Sequence, residues 1–454
     1  MKTYRGTLFV AFVFGIAAIV ALGIWAQRPA PGLAQMTTVG PSGESIVAEQ
    51  DGAALIESGK RIFRDDTFGD QAFWGDTLKL HRAIEGAALG GLGAGVSPKT
   101  ALSVGLKVDV DRLPPALVAA IGAGKVDLDA PSTTIALLHA NAVVGVVGVF
   151  KGGSDRSLSS IGISCAFCHS TVDNSVAPGI GHRLDGWPNR DLNVGAIIDL
   201  SPDLTAVQQL LGTDRKTVDT VLKSWGPGKF DAELFLDGKA FRPDGKSAAT
   251  LIPAAFGLAG VNLHTYTGWG SVPYWNAFVA TLEMHGQGTF YDPRLDDARQ
   301  FPVAAKARFG HVKHDPDLVT PKLAALHLYQ LSLPAPTAPP GSYNVAAATR
   351  GKLLFFGAAN CSSCHAAPRF TDTGWNMHTG SEIGIDDFQA DRSPDHRYRT
   401  TPLRGLGAAR MKGGFYHDGR FASLNEVVTH YNTFFHLKLT PSNQDDLVAY
   451  LKSL

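Results

Sequence analysis

Two short stretches, CAFCH at Cys165–His169 and CSSCH at Cys361–His365, decide how the rest of the sequence is read. Between them they hold all four cysteines of a 454-residue chain. C-x-x-C-H is the attachment signature of a c-type haem. Two thiols at that spacing can form thioethers to the two vinyl groups of one porphyrin, and the next histidine can sit under the iron as proximal ligand. Other uses of such cysteines fit less well. One zinc site built from both pairs would join residues far apart in the chain. A thioredoxin-like C-x-x-C needs no histidine directly after it, twice. Two local disulfides would leave both histidines unexplained. The sequence therefore predicts two covalently attached haems, on Cys165, Cys168 and His169 and on Cys361, Cys364 and His365.

The surroundings of the motifs repeat. SGKRIF (Ser58–Phe63) matches RGKLLF (Arg350–Phe355), with Gly-Lys and a phenylalanine at the same offsets. In the second copy this segment runs straight into CSSCH. In the first, a long segment intervenes, predicting an insertion over about residues 67–157. Part of it, STTIALLHANAVVGVVGVF, reads as buried helix or strand, and periodicity does not settle which. LPAPTAPPGS (Leu333–Ser342) has the composition of a linker. Little of either haem segment alternates in the manner of a strand. The predicted fold is mainly α, with two cytochrome c-like domains: residues 50–332 carrying the insertion, and residues 343–454 after the linker.

Lysine plus arginine (41) equals aspartate plus glutamate (41), so no excess charge points to nucleic acid or an acidic membrane surface. Lys2 and Arg5 precede the apolar run Thr7–Ala26, the pattern of an export signal. The run is near the ~20 residues that span a bilayer, and GLAQ offers a cleavage site after Ala34. A removed signal peptide over residues 1–34 and a retained inner-membrane anchor both fit. Either places the remainder outside the cytoplasm, in the periplasm.

Near the C-terminus, FASLNEVVTHYN (Phe421–Asn432) carries Ser423 and Glu426 at capping-box spacing, predicting a helix from Leu424. Leu424, Val427, Val428 and Tyr431 then share one apolar face. His430 falls with Glu426 on the outer side, so Tyr431, not His430, is placed to meet a buried group. From the helix alone, Tyr431 could equally be a core tyrosine.

The stretch FYHDGRFASLNEVVTHYN (Phe415–Asn432) resembles the C-terminal segment of the bacterial di-haem cytochrome c peroxidases and MauG, with rubber oxygenases as larger relatives. The resemblance covers both haem segments and misses the insertion. It implies that Tyr431 is the distal iron ligand of the second haem, where the peroxidases have methionine. An anionic oxygen there favours ferric iron and lowers the potential. IGHRLDGWPNRDLNVGA (Ile180–Ala196) resembles the loop that supplies a removable distal histidine, matching His182. LEMHG resembles the Glu-Met pair above the open iron and implies Glu283 as the catalytic acid–base. YWNAF offers Trp275 as the indole between the haems. FLDGKA (Phe235–Ala240) departs from the family by placing Leu236 where tryptophan is expected. The resemblance further implies a calcium ion, for which Asn193, Thr400 and Pro402 match. Arg404 and Arg420 are candidate partners of the haem propionates.

Two functions follow from this reading. One is a haem-dependent oxidoreductase that reduces peroxide, or uses peroxide or dioxygen to oxidise a substrate, exchanging electrons with a small redox protein. The other is a di-haem electron carrier with both irons closed. The long insertion favours the enzyme, because a carrier needs little more than ~100 residues per haem.

Overall fold

The computed structural model describes residues 43–153, 157–372, 376–407 and 412–454. The export or anchor segment over residues 1–34 lies outside them. Ala53–Leu454 forms one compact unit, and of the residues before it 43–52 are described, as helix. Among the described residues, no helix is long and apolar enough to cross a membrane. The helices that frame the site are α1 (Gly43–Asp65), α2 (Ala166–His169), α3 (Arg215–Trp225), α4 (Val272–Phe278), α5 (Leu323–Ser332), α6 (Val345–Phe356), α7 (Leu424–Phe434) and α8 (Pro441–Ser453). The strands are short and lie in two-stranded pairs, so the fold is mainly α.

The repeated Gly-Lys-x-x-Phe stretch has the same structural job in each copy. In α1, a methyl group on Gly59 would overlap the Ala325 carbonyl and the Tyr329 side chain of α5. In α6, a methyl on Gly351 would overlap the Asp446 carbonyl and the Tyr450 side chain of α8. Glycine thus lets the opening helix of each segment touch the backbone of its closing helix. One turn later, Phe63 packs on Tyr329 at 5.5 Å between ring centroids, and Phe355 on Tyr450 at 5.2 Å. Both phenylalanines are fully buried, each worth about 1.5–3 kcal/mol of transfer free energy. The segments around the two motifs therefore share one helical frame.

Local sequence explains the helices around that frame. Asp214 caps α3 by accepting from the Thr217 amide at 2.8 Å. Val218, Val221, Leu222 and Trp225 then form its buried face at helical spacing. Asn344 caps α6 in the same way, and Thr440 forms a capping box with Asn443 ahead of Pro441 in α8.

The ambiguous part of the insertion resolves into both alternatives. Pro131–His139 is helical, and Val146–Phe150 is a strand antiparallel to Leu158–Ile163. That second strand leads directly into the first motif, and the Ser164 amide donates to the Gly145 carbonyl at 3.0 Å. Residues 67–157 are not a separate lobe. Trp74, Leu78, Leu138 and Val146 share one core with Phe63, Phe167 and Trp225.

Residues 343–454 are tied to the preceding part by buried charge. Arg392, wholly buried, places Nε 2.8 Å from Asp237 and a terminal nitrogen 2.8 Å from Asp231. Outside this pair, Arg242 bridges Asp386 at 2.8 Å and Asp418 at 3.0 Å.

The glycine crossings make a test. Alanine inside a helix normally gains about 1 kcal/mol over glycine, but forcing backbones apart in a packed core costs about 1–3 kcal/mol or more. Gly59→Ala and Gly351→Ala should each lower the thermal unfolding midpoint. An unchanged or raised midpoint for both would refute the close crossing.

Candidate haem site

Each motif is presented on a tight turn. The Leu158–Ile163 strand delivers Cys165, and α2 follows at once. Cys361–Ser363 forms a 3-10 turn after α6. All four thiols are free and partly buried. Burial pushes Cys165 and Cys168 up to about 12 and Cys361 to about 11. Cys364 is instead held low by the neighbouring His378.

The two motif histidines are in the state a metal requires. Burial holds His169 down at about 4 and lowers His365 too, so both imidazoles are neutral. His365 Nδ1 lies 3.0 Å from the Phe370 carbonyl, which can only accept. The proton is therefore on Nδ1, leaving Nε2 bare. His169 Nδ1 is buried near the Pro253 carbonyl, without full hydrogen-bond geometry.

Both motifs open on one cavity of about 1140 Å³. Its lining fits an apolar macrocycle that carries acidic groups. Two buried guanidinium groups, Arg190 and Arg399, line it with Nε unpartnered. Arg190 donates to the Lys412 carbonyl at 3.0 Å and Arg399 to the Leu263 carbonyl at 2.7 Å, with Tyr266 beside both. Burial pushes Arg399 down to about 10. A buried cation lining a cavity calls for an anion, and a haem would supply propionates. Cys165, Cys168, His169, Cys361, Cys364 and His365 could thus hold haem c, with Arg190 and Arg399 beside it.

Other residues singled out in the sequence also reach the cavity: Glu283, Trp275, Tyr431, Arg404, Thr400 and Pro402 all line it. Glu283 ends a π-helical turn, Val279–Glu283, that follows α4. Burial first, then the charges of Glu233 and Asp231, push it up to about 8, and it lies close enough to act on Cys168. Trp275 stacks on Trp269 at 5.3 Å, with both indole N–H groups buried and unpartnered. Leu236 packs in the same cluster, so the indoles stand beside the position where the resemblance expects one.

Helix α7 starts at Leu424, with Ser423 accepting from the Glu426 amide at 3.2 Å. The Glu426 carboxylate reaches back to the Ala422 amide, one residue before the cap, at 2.8 Å. Tyr431 faces the cavity, while His430 donates to the Ile383 carbonyl at 2.9 Å. Tyr416, at positive φ, sets its ring 6.3 Å from that of Tyr431. Its hydroxyl is buried without a well-formed hydrogen bond. Burial raises both phenols.

Three expected residues are not brought to the cavity. His182 is at the surface, its Nδ1 2.7 Å from Asp111, so it does not face either motif. Arg420 is spent on Asp418 and Asp386, at 2.9 and 2.8 Å. Asn193 caps the helix Val194–Asp199, accepting from the Ala196 amide at 3.1 Å. Thr400 bonds Asp372 at 3.2 Å. Among the described residues, no three His, Cys, Asp or Glu side chains converge as a metal site.

The sequence reading missed Arg190, Arg399, Glu233, Trp269 and Tyr416. Two were near at hand: Arg190 lies within Ile180–Ala196, and Tyr416 within the same stretch, Phe415–Asn432, that carries Tyr431.

Residues 348–454 match the cytochrome c family. The methylamine utilization protein MauG of Methylorubrum extorquens is 34% identical over 123 residues, which is 24% of this chain and 34% of that protein. MauG of Methylophilus methylotrophus is 27% identical over 116 residues, 21% of this chain and 32% of that protein. The chain thus spans about a third of the length of the curated relatives it matches. Among solved structures, a MauG-like protein associated with microbial copper homeostasis aligns at TM-score 0.30 and 18% identity, over 48% of this chain and 76% of that one. Hydrazine synthase of Kuenenia stuttgartiensis aligns at TM-score 0.25 and 16% identity, over 52% and 92%. The C-terminal domain is a cytochrome c domain, and its cofactor is haem c. The likeness to MauG is confined to about a quarter of the chain.

Glu283 gives a pH test. The folded protein holds its proton up to about pH 8, whereas an unfolded chain releases it near about 4.3. Between these values the folded state binds more protons, so this residue makes stability fall as pH rises. Glu283→Gln should therefore gain stability relative to the native protein from about pH 5 to about pH 8. Urea unfolding across that range checks it, and a pH-independent difference would refute the buried acid.

Proposed function

We propose that the chain is an exported di-haem oxidoreductase of the MauG and peroxidase type. It reduces peroxide, or uses peroxide or dioxygen to oxidise a substrate, with electrons moving between two haems. The observation that carries this reading is that both C-x-x-C-H motifs open on one cavity that also receives Glu283 and Trp275.

The haems supply the redox chemistry when bound. The chain's part is ligation, proton movement and an electron route. His169 and His365 offer neutral imidazoles to the two irons. Glu283, in its carboxylate form, can take a proton from the proximal oxygen of peroxide and return it to the distal oxygen. Stacked Trp269 and Trp275 offer an oxidisable pair beside the cavity. Tyr431 offers a phenol oxygen to the second haem. A pure carrier would need the first iron closed by a side chain. His182, which the resemblance matches to that task, is committed to Asp111 at the surface, and this supports an open first site. A small redox protein is the electron partner, and the periplasm the compartment.

Mass spectrometry of protein matured in a host competent for haem attachment should show two added haems. Replacing Cys165 and Cys168 by alanine should remove one, and replacing Cys361 and Cys364 the other. Glu283→Gln should retain both haems and lose about 10²–10⁴-fold in peroxide turnover. One haem in the native protein, or turnover equal to native in the variant, would sink the reading.

A further inference from the structure

Around Glu283 lies buried acid that the reading above leaves unused. Asp231, Glu233 and Asp237 are all buried, and Arg392 is the cation set against them. Asp231, Asp237 and Glu233 act on this one guanidinium, and Glu283 lies close enough to feel the charges of Glu233 and Asp231. Arg392 binds Asp237 through two nitrogens, at 2.8 and 3.1 Å, and Asp231 through one, at 2.8 Å. Glu233 receives no such bond. Its Oε1 accepts from Gln389 Nε2 at 3.0 Å, and its Oε2 is buried with no partner. Glu233 is 8% exposed and lines the haem cavity, as do Gln389 and Glu283. Asp231 also has an unpartnered oxygen, Oδ2.

Asp231, Glu233 and Asp237 set against one cation, with Glu283 beside two of them, cannot all stay ionised, because an uncompensated buried charge is costly. The cluster retains protons instead. Burial raises Asp231 to about 7, Glu233 above its ordinary range and Glu283 to about 8. Glu233 and Glu283 also feel each other's charge.

We propose that Glu233 is a positioning residue that works through Glu283, exchanging a proton with it, so that the haem cavity draws on a buried proton store. This rests on the reading of Glu283 as the cavity's acid–base group. A proton lost from Glu283 is replaced by the proton of Glu233. One O–H bond breaks and another forms, no electron moves, and Glu233 becomes the carboxylate. That carboxylate is held by Gln389 Nε2 and by the field of Arg392, opposed by Asp231 and Asp237. The reverse transfer refills it.

The test is redox titration of the holoprotein at a series of pH values, with reduced-minus-oxidised infrared spectra. In the native protein at least one midpoint potential falls as pH rises, and carboxylic C=O bands change on reduction. Glu233→Gln, which keeps size and a hydrogen-bonding amide, should cut that slope by about half or more and delete one of those bands, with both haems retained. A merely structural role would displace the potential and leave the slope. If Glu233→Gln folds poorly, Gln389→Glu, which adds a fifth carboxyl group, should steepen the slope. A slope and bands indifferent to both changes overturn the proposal. A slope lost in Glu283→Gln but kept in Glu233→Gln overturns it too, and leaves the reading of Glu283 standing. A native slope untouched in both variants overturns the two together.

Discussion

One buried guanidinium holds the functional part of the molecule together. Arg392 comes from the C-terminal cytochrome domain and enters a pocket made by Asp231 and Asp237 of the preceding segment. Such a group adds modest net stability, because its desolvation offsets most of the attraction. Its influence is on arrangement. Any packing that withdraws it leaves two buried aspartates uncompensated, a penalty of about 3–5 kcal/mol. The two halves are therefore fixed in the relation that makes one cavity face both C-x-x-C-H turns. The same constraint produces an excess of acid, since Glu233 and Glu283 share the region without a guanidinium contact of their own.

Burial sets the rest of the chemistry. It keeps His169 and His365 neutral, which a ligand to iron requires. It leaves Arg190 and Arg399 with donors aimed at a space that needs an anion. It also keeps Glu283 protonated well above the range of an exposed glutamate. None of these groups is explained as part of a closed protein core. Each makes sense as part of a wall around an apolar, acidic guest.

Much of this was legible wherever a local pattern maps onto one element. The motif spacing marked the attachment turns. Ser423 marked the start of α7 and helical period turned Tyr431 to the cavity, whereas His430, expected on the outer side, is half-buried against Phe421 and Phe434 and donates to the Ile383 carbonyl. The Gly-Lys-x-x-Phe repeat marked a shared frame, although its physical meaning, glycine against the backbone of a closing helix, needed the partner helices. What failed depended on distant neighbours. His182 and Arg420 have the right chemistry for a haem, but Asp111 in one case and Asp386 with Asp418 in the other claim them first. Asp231 and Glu233 carry no pattern in sequence, since their meaning comes from Arg392, about 160 residues away. The segment from Pro131 to Phe150 was apolar on too many sides for period to tell helix from strand.

The segments around the two C-x-x-C-H motifs are alike in frame and unlike in lining. Near the first motif stands a carboxyl that burial raises to about 8. Near the second stand two phenols, both raised by burial, with Tyr431 close enough to sense Cys361 and Cys364. A carboxylic acid in that range can give and take a proton at little cost, whereas a phenol raised further cannot unless a cation such as iron compensates the charge. The same pair of crossed helices thus serves two environments, one suited to exchanging protons and the other to holding an anionic oxygen against a metal. The difference arises from a few side chains on segments between the helices, and the frame itself can stay unchanged.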